Sequence, residues 1–209
     1  MNKVLVIGSI NMDFVVETDK FPVPGETVLG SAFKTFPGGK GANQAVAAQR
    51  LGAQVTMLGC VGNDDSGNAM LRHMKTEGIN TDLVKVMEGV ITGMAAITVS
   101  EGENSIIVVP GANHHVTPAH IAAAEEAFIA ADVVLAQLEI PLPTVQAAAR
   151  MAQRHQKPFL LNPAPAMPLP TDLIAQTTLL TPNEHELCIM LATDTADWQA
   201  LLMHYPGKI

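Results

Sequence analysis

The feature that most constrains the fold is a regular alternation of short apolar runs with helical segments. Residues 4–7 form an apolar run that ends at Gly8, and residues 55–61 form a second one. Between them lies an Ala-rich segment, residues 38–53, which opens on glycines and closes after Gly52, the pattern of a helix. Strands that alternate with helices predict a parallel sheet that is covered by helices on both faces.

The same alternation continues along the rest of the chain. A helix capped by Asp65 or Ser66 is predicted to end at Glu77, before Gly78. A further helix is predicted to open at Asn183. The remaining helices are predicted at residues 118–131, 142–156 and 171–176, and the strands between them at residues 132–138, 158–161 and 178–180.

Two β-rich segments, residues 12–37 and 91–110, interrupt this alternation. Prolines and a glycine break residues 14–30 of the first one, so this stretch predicts irregular structure or an edge strand. The second contains two β-rich runs joined by residues 101–104, which is typical of a hairpin. We therefore predict a doubly wound, mostly parallel α/β core at residues 1–11, 38–90 and 111–209, with a small β lid built from the two interrupting segments.

Charge and composition exclude several classes of protein. The net charge of −8 argues against nucleic acid or an anionic membrane surface as the main partner. The chain has neither a signal-peptide pattern nor an apolar run of the ~20 residues that a membrane span needs, so we expect a cytoplasmic protein. Cys60 and Cys188 lie in apolar runs and are predicted to be buried, reduced thiols. His114 and His115 are predicted to be a loop pair and not a metal site, because the side chains of adjacent residues diverge.

Polar side chains follow four of the predicted strands, and ligands of open α/β sheets bind beyond the carboxyl ends of the strands. Asn11 and Asp13 follow the first strand, Glu139 and Asn162 each follow a later one, and Asn183 and Glu186 follow the last. Carboxylates and carboxamides of this kind suit a neutral polyol, although Asn and Asp at such positions also cap turns. The spacing of Asn183 and Glu186 could place a carboxylate near Mg²⁺, but on its own it favours a capping box.

The segment Gly38-Gly39-Lys40-Gly41-Ala42-Asn43 is the most specific motif. Its glycines allow close approach of the backbone to a ligand, and the helix that follows presents free N–H groups. The segment is not a Walker A loop, GxxxxGK followed by Ser or Thr, since position 34 is Lys instead of Gly and position 41 is Gly instead of Ser or Thr. An ordinary glycine-rich turn into a helix remains the alternative interpretation.

Taken together and in order, these segments resemble the ribokinase/PfkB family of carbohydrate kinases. The resemblance is carried by GSINMD at residues 8–13, PVPGET at 22–27, GGKGANQAVAAQRLGA at 38–53, GEN at 102–104, GAN at 111–113, QLE at 137–139, NPAPA at 162–166 and TPNEHE at 181–186.

The resemblance implies ATP-dependent phosphorylation of D-ribose at O5 by the full-length protein, with ATP and Mg²⁺ as cofactors and a K⁺ site. Asn183 would contact the ATP phosphates, and Glu186 would act on Mg²⁺ through water. The lid would close over the sugar and pair two subunits into a homodimer. The residues that would bind the sugar are Asn11, Asp13, Gly39, Lys40, Gly41, Asn43 and Glu139.

The chain departs from this family in one respect. Members carry a GAGD-type motif in their later third, whose Asp is the catalytic base, and the sequence contains no such motif. Tyr205-Pro206-Gly207 predicts a turn and Lys208-Ile209 the start of another strand, so we expect the C-terminal part of the fold and the base to lie beyond residue 209. We expect this chain alone to be inactive.

Three alternatives stay open. The protein could phosphorylate a related substrate, such as deoxyribose, another pentose or a nucleoside. It could be a sugar-binding protein without catalysis. It could also be a partly unfolded fragment, because an open sheet that lacks strands exposes apolar surface.

Overall fold

Two separate β-sheets organise the chain, which the computed structural model describes for residues 1–191 and 198–204. The strands are β1 Lys3–Ile7, β2 Asn11–Thr18, β3 Gly30–Gly38, β4 Gln54–Gly62, β5 Asn80–Met87, β6 Gly93–Ser100, β7 Glu103–Val109, β8 Val133–Gln137, β9 Phe159–Asn162 and β10 Leu179–Leu180. The α-helices are α1 Lys40–Arg50, α2 Asp65–Thr76, α3 Pro118–Ala123, α4 Glu125–Ala130, α5 Leu142–Arg154, α6 Thr171–Gln176, α7 Glu184–Met190 and α8 Trp198–His204, and a 3₁₀ helix covers Gly111–His115.

The larger sheet has six strands in the order β10-β9-β8-β1-β4-β5, and all of its described pairs are parallel. Successive side chains of β1 point to opposite faces, as the pleat of a strand requires. Leu5 and Ile7 pack into a core with α3, α4 and α5, whereas Val6 packs into a second core with Ala45 of α1 and Met70 of α2. The prediction of a doubly wound parallel sheet is confirmed.

The smaller sheet has four strands in the order β3-β2-β6-β7. β6 and β7 form the predicted hairpin, with Glu101 and Gly102 at positive φ in the turn. The central pair, β2 and β6, is parallel, because both strands leave the larger sheet in the same direction. The stretch after Asp13 was predicted to be irregular or an edge strand, yet β2 pairs on both sides and is a central strand.

Three local predictions were wrong for identifiable reasons. β5 was not predicted, because it lies at the edge of the sheet and polar residues, such as Asp82 and Lys85, interrupt its apolar residues. The helix predicted at residues 118–131 is two short helices that meet at Ala124. The N-cap of α2 is Asp64 and neither Asp65 nor Ser66.

The two cysteines and the end of the chain complete the comparison. Cys60 is buried as predicted, but Cys188 is only partly buried. The turn and strand predicted at residues 205–209 lie outside the described residues. Among the helices that the structure describes, none combines the length and the apolar character needed to cross a bilayer.

Asp64 connects the larger sheet to the start of strand β6 of the smaller one. Its Oδ1 accepts hydrogen bonds from Gly67 N at 2.7 Å and Thr92 Oγ1 at 2.6 Å, and its Oδ2 accepts one from Thr92 N at 2.7 Å. Thr92 is 2% exposed and also accepts a bond from Gly62 N. Burial acts to raise the pKa of Asp64, but the bonds from Thr92 and Gly67 outweigh it and lower the pKa.

We predict that Asp64→Ala lowers the free energy of unfolding by about 1–2 kcal/mol, the usual cost of removing a helix cap with its hydrogen bonds. The pKa of Asp64 is lower in the folded state than in the unfolded state, where it is about 3.9. Its contribution to the free energy of unfolding is therefore present above this pH and is lost as the pH falls through the folded-state pKa. Urea unfolding at pH 7 and at pH 3 measures both effects.

Asp65→Ala is the matched control, since Asp65 is the exposed neighbouring carboxylate in the same helical turn. Its free energy of unfolding should change by less than about 0.5 kcal/mol. Equal losses in the two variants would show that the connection through Thr92 contributes nothing.

Candidate functional site

The candidate site lies at the carboxyl ends of β1 and β8, which are neighbours in the larger sheet. Ile7 pairs with Ala136, so the loop after β1 and the loop after β8 leave the sheet side by side. This register brings Ser9 and Glu139 together although 130 residues separate them in sequence. Such a meeting of neighbouring strand ends is the usual place for a ligand in open α/β folds.

The glycines before α1 allow the start of this helix to pack directly on the loop after β1. Gly39 has a φ of 89°, and a Cβ atom at this position would lie 2.7 Å from the backbone nitrogen of Asn11. A Cβ atom at Gly41 would lie 2.6 Å from the backbone nitrogen of Ser9. These glycines therefore allow the backbone at the start of α1 to pack closely against the backbone of the loop after β1, in addition to any approach of a ligand.

Glu139 is held by the groups that this packing brings to it. Its Oε2 accepts hydrogen bonds from Ser9 Oγ at 2.5 Å and from Lys40 N at 3.0 Å. Ser9 is fully buried, and its Oγ accepts in turn from Gly41 N at 3.2 Å. Oε1 of Glu139 makes no hydrogen bond within residues 1–191 and 198–204, so it is available as an acceptor.

Asp13 approaches Glu139 from the smaller sheet. Burial of the Asp13 carboxyl raises its pKa, and the negative charge of Glu139 raises the pKa further. Asp13 pairs with Phe36 of β3 and with Ala95 of β6, which pairs with Val108 of β7. Residues paired in this way share one face of a sheet, so Asp13 and Val108 lie on the same face of the smaller sheet.

A cleft of about 500 Å³ lies between the two sheets. Its lining is mostly apolar, and its polar side chains converge from different elements. The cleft is lined by Asn11, Val108, Pro110, Asn113, His114, Leu138, Glu139, Ile140, Pro141, Leu142, Pro165 and Met167.

The structure thus places Asn11 and Glu139 on the lining of one cleft, and the charge of Glu139 reaches the Asp13 carboxyl. The backbone of Lys40 lies next to them, because its N–H bonds to Glu139. Asn43 is less closely integrated. It lies in the first turn of α1, is exposed, and makes no side-chain hydrogen bond among the described residues. The predicted loop pair His114 and His115 belongs to the 3₁₀ helix, and His114 lines the cleft.

Asn183 and Glu186 form the capping box that their spacing favoured. Asn183 Oδ1 accepts from Glu186 N at 2.7 Å, and Glu186 Oε2 accepts from Asn183 N at 2.9 Å. The box lies after β10, at the same edge of the sheet as Glu139. Glu186 Oε1 stays outside the cap and could face a cation. In the described part of the chain, no three His, Cys, Asp or Glu side chains are grouped to hold a metal.

A row of three carboxamides runs along this edge of the sheet from β8 towards β10. Gln137 Nε2 donates to Gln44 Oε1 at 2.6 Å, Gln44 Nε2 donates to Asn162 Oδ1 at 3.4 Å, and Asn162 Nδ2 donates to Thr181 O at 3.1 Å. Each donor points the same way along the row. The row therefore ties α1 to the loop that carries Asn183.

Sequence reasoning missed two buried polar residues of the site, Ser9 and Asn113. Both lie inside segments that were recognised, GSINMD and GAN, but each touches its partners only after folding. Ser9 bonds to Glu139, and Asn113 bonds to Ile10 and Asn11 across 103 and 102 residues respectively. Their small polar side chains directly after predicted strands were the only available signal.

Comparison with known proteins gives consistent results. The chain is 49% identical over 209 residues to a ribokinase of Bacillus subtilis, covering 100% of this chain and 71% of that protein. It is 38% identical over 198 residues to a deoxyribokinase of Salmonella typhi, covering 93% of this chain and 65% of that protein. The chain thus spans about two thirds of the length of these relatives.

A solved structure of Arabidopsis thaliana ribokinase complexed with ribose and ATP superimposes with a TM-score of 0.85 at 30% sequence identity, covering 99% of this chain and 69% of that chain. The family model described as pfkB family carbohydrate kinase matches residues 1–207. The resemblance carried by the glycine-rich start of α1 and by the strand-end polar residues is therefore confirmed, and the chain belongs to the pfkB family of carbohydrate kinases.

Proposed function

We propose that this chain carries the sugar-binding part of an ATP-dependent kinase that phosphorylates D-ribose at O5 to ribose 5-phosphate. The observation that carries the proposal is that Asn11 and Glu139 line one cleft between the two sheets, with the Asp13 carboxyl close enough to Glu139 for the charge of Glu139 to raise its pKa. Support also comes from the relative of 49% identity that is named ribokinase and from the similar structure that holds ribose and ATP.

The chemistry of these groups fits a polyhydroxy ligand. Asp13 and the free Oε1 of Glu139 accept hydrogen bonds from hydroxyl groups, and the carboxamide of Asn11 can supply a donor. Lys40 and Asn43, with the backbone of Gly39 and Gly41, would complete the polar wall of the pocket. In this proposal the smaller sheet is the lid, with the domain division at residues 12–37 and 91–110, and its Val108 covers the sugar.

The phosphate side of the site is assigned to the start of α7. Asn183 would contact the ATP phosphates through its carboxamide nitrogen, which the capping box leaves open. The open oxygen of Glu186 would hold water of the Mg²⁺ shell, since Mg²⁺ keeps several waters and takes few protein ligands. ATP with Mg²⁺ supplies the phosphoryl group, and the protein positions the acceptor hydroxyl.

The residues described here are assigned to binding and positioning, and the general base is assigned to none of them. The predicted base in a GAGD-type motif and the K⁺ site stay predictions, as does a cytoplasmic location. A second candidate substrate is 2-deoxyribose, because the chain is also 38% identical to a deoxyribokinase. Ribose and 2-deoxyribose must therefore be compared directly.

We predict that the chain binds ribose and that Asp13→Asn or Glu139→Gln weakens this binding at least tenfold. Each variant removes a charged acceptor, and a hydrogen bond to a charged group is worth about 1.5–3 kcal/mol. Calorimetric titration with ribose measures the change. Asp19→Asn is the control, because Asp19 is an exposed carboxylate just beyond β2 and should leave the affinity unchanged.

The same preparation, assayed for ATP-coupled ribose phosphorylation, separates the alternatives. Ribose binding without turnover is expected of this chain. Turnover well above background would contradict the assignment of the base outside these residues. Tighter binding of 2-deoxyribose than of ribose would favour the second substrate, and absence of binding to either sugar would contradict the proposal.

The pKa of Asp13 gives an independent test of the pocket. We predict that Glu139→Gln lowers the pKa of Asp13, since one of the two causes of its rise is the charge of Glu139. Sugar binding that needs ionised Asp13 is lost as the pH falls through the raised pKa. Carbon-13 NMR titration of the Asp13 carboxyl measures it, and Glu126→Gln on α4 is the control with no expected shift. An unchanged pKa of Asp13 in Glu139→Gln would contradict the proposed pocket, because the two carboxylates would then lie too far apart to interact.

We further propose that the chain forms a homodimer through the lid. Strands β3 and β7 are the edges of the smaller sheet, and they expose large apolar side chains: Phe33 at 62%, Ile106 at 51% and Ile107 at 67%. Exposed sheet edges with apolar side chains favour pairing with another chain. A second copy of this chain would cover them.

Ile106→Lys combined with Ile107→Lys should convert the predicted dimer to a monomer, because two charges would be buried in the interface. Sedimentation velocity measures the change. Ile129→Lys is the matched control, since Ile129 is 54% exposed on α4, outside the smaller sheet. A parent protein that is monomeric at micromolar concentration would contradict the proposal.

A further inference from the structure

Asn113 is a buried polar residue without a role in the site so far. It belongs to the 3₁₀ helix after β7 and is 1% exposed. Its carboxamide lies against the loop that leads from β1 to β2. Ile10 N donates to Asn113 Oδ1 at 2.9 Å, and Asn113 Nδ2 donates to Ile10 O at 3.2 Å.

These two bonds determine the orientation of the Asn113 carboxamide. A backbone N–H can only donate and a backbone carbonyl can only accept. The end of Asn113 that faces Ile10 N must therefore be the oxygen, and the end that faces Ile10 O must be the nitrogen. The ambiguity between oxygen and nitrogen that affects most carboxamide side chains is removed here.

The orientation of Asn113 determines that of Asn11. Asn113 Nδ2 also donates to Asn11 at 2.6 Å, and the atom that receives this bond is Asn11 Oδ1. Two NH₂ groups cannot bond to each other, so Asn11 must present its oxygen to Asn113. The nitrogen of Asn11 then has no hydrogen-bond partner within the described residues, and Asn11 lines the cleft.

The surrounding structure leaves little room for another arrangement. Asn11 is 3% exposed, and any side chain at Gly93 would collide with both Asn113 Nδ2 and Asn11 Oδ1. Gly93 is the first residue of β6, so the strand that enters the smaller sheet passes directly over this pair of carboxamides. The pair is packed from the core side and from the lid side.

We propose that Asn113 is a positioning residue that turns the N–H donors of Asn11 towards the substrate. This inference rests on the proposed function, because it assumes a sugar in the cleft. With Asn11 as donor and the carboxylate of Asp13 as acceptor, the site matches a hydroxyl group, which accepts one hydrogen bond and donates another. In ribose we assign this hydroxyl to the 2-hydroxyl. A sugar without it leaves the Asn11 donor unpaired, so this pair of carboxamides discriminates against 2-deoxyribose.

Asn113→Asp tests the inference with almost no change of volume. The carboxylate introduced by this substitution still accepts from Ile10 N, but it offers no donor to Ile10 O or to Asn11. The Asn11 carboxamide must then turn its nitrogen to that carboxylate and its oxygen to the cleft. We expect ribose affinity to fall about tenfold and 2-deoxyribose affinity to change little. The ratio of the two affinities should therefore fall about tenfold, equivalent to about 1.4 kcal/mol.

Ser9→Ala is the matched control. It removes a buried hydrogen bond to Glu139 and leaves Asn113 and Asn11 unchanged. It should therefore weaken the binding of ribose and of 2-deoxyribose by the same factor and preserve the ratio of the two affinities. A merely structural role of Asn113 would give the same pattern as Ser9→Ala. An unchanged ratio in folded Asn113→Asp would overturn the inference, and so would a parent protein that binds both sugars equally.

A measurement without sugar keeps the inference separate from the proposed function. In the parent protein labelled with nitrogen-15 asparagine, the NH₂ protons of Asn113 should exchange slowly with solvent and those of Asn11 rapidly. In Asn113→Asp, the NH₂ protons of Asn11 should become protected. Slow exchange of the Asn11 protons in the sugar-free parent would overturn the inference, even if Asn113→Asp failed to fold or neither sugar bound.

Discussion

The site depends on one packing contact, the first turn of α1 against the loop that follows β1. Because Gly39 and Gly41 carry no side chains, the two backbones approach closely enough for Gly41 N to bond to Ser9 Oγ and for Lys40 N to reach Glu139. A side chain at either glycine would separate these segments. The position of the Glu139 carboxylate, and with it the charge facing Asp13, follows from this contact.

The same contact explains why the site spans two sheets without losing its geometry. Asp13 belongs to the smaller sheet and Glu139 lies in the loop after β8 of the larger one, yet both are connected to the loop after β1. Asn11 begins β2 directly after this loop, and Asn113, in the 3₁₀ helix that follows β7, donates a hydrogen bond to Asn11. The Asp64–Thr92 hydrogen bonds hold the entry of β6 in the same region. The smaller sheet is thus attached to the core at points that also position the polar groups of the candidate site.

Much of the fold could be predicted because apolar periodicity and glycine positions report burial directly. β1, β4, β8 and β9 were located from runs such as residues 55–61, and α1 from its glycines. β5 could not be found, since an edge strand buries little and keeps polar residues. Of the site, Asp13 and Glu139 were identified from their positions after strands. Ser9 and Asn113 were missed as site residues, because a buried serine or asparagine has no distinctive spacing and its partners lie more than 100 residues away.

The interaction between the Asp13 and Glu139 carboxyls also affects the electrostatics of the site without ligand. The charge of Glu139 raises the cost of ionising Asp13, and two carboxylates in this arrangement need compensation to persist. Glu139 receives it from Ser9 Oγ and Lys40 N, both on one oxygen, whereas the described residues give Asp13 no hydrogen bond. A ligand whose hydroxyls donate to Asp13 and to Glu139 Oε1 would relieve the repulsion that the protein itself leaves unbalanced. The electrostatics of the empty cleft therefore select for a hydrogen-bond donor with several hydroxyl groups and against an anion.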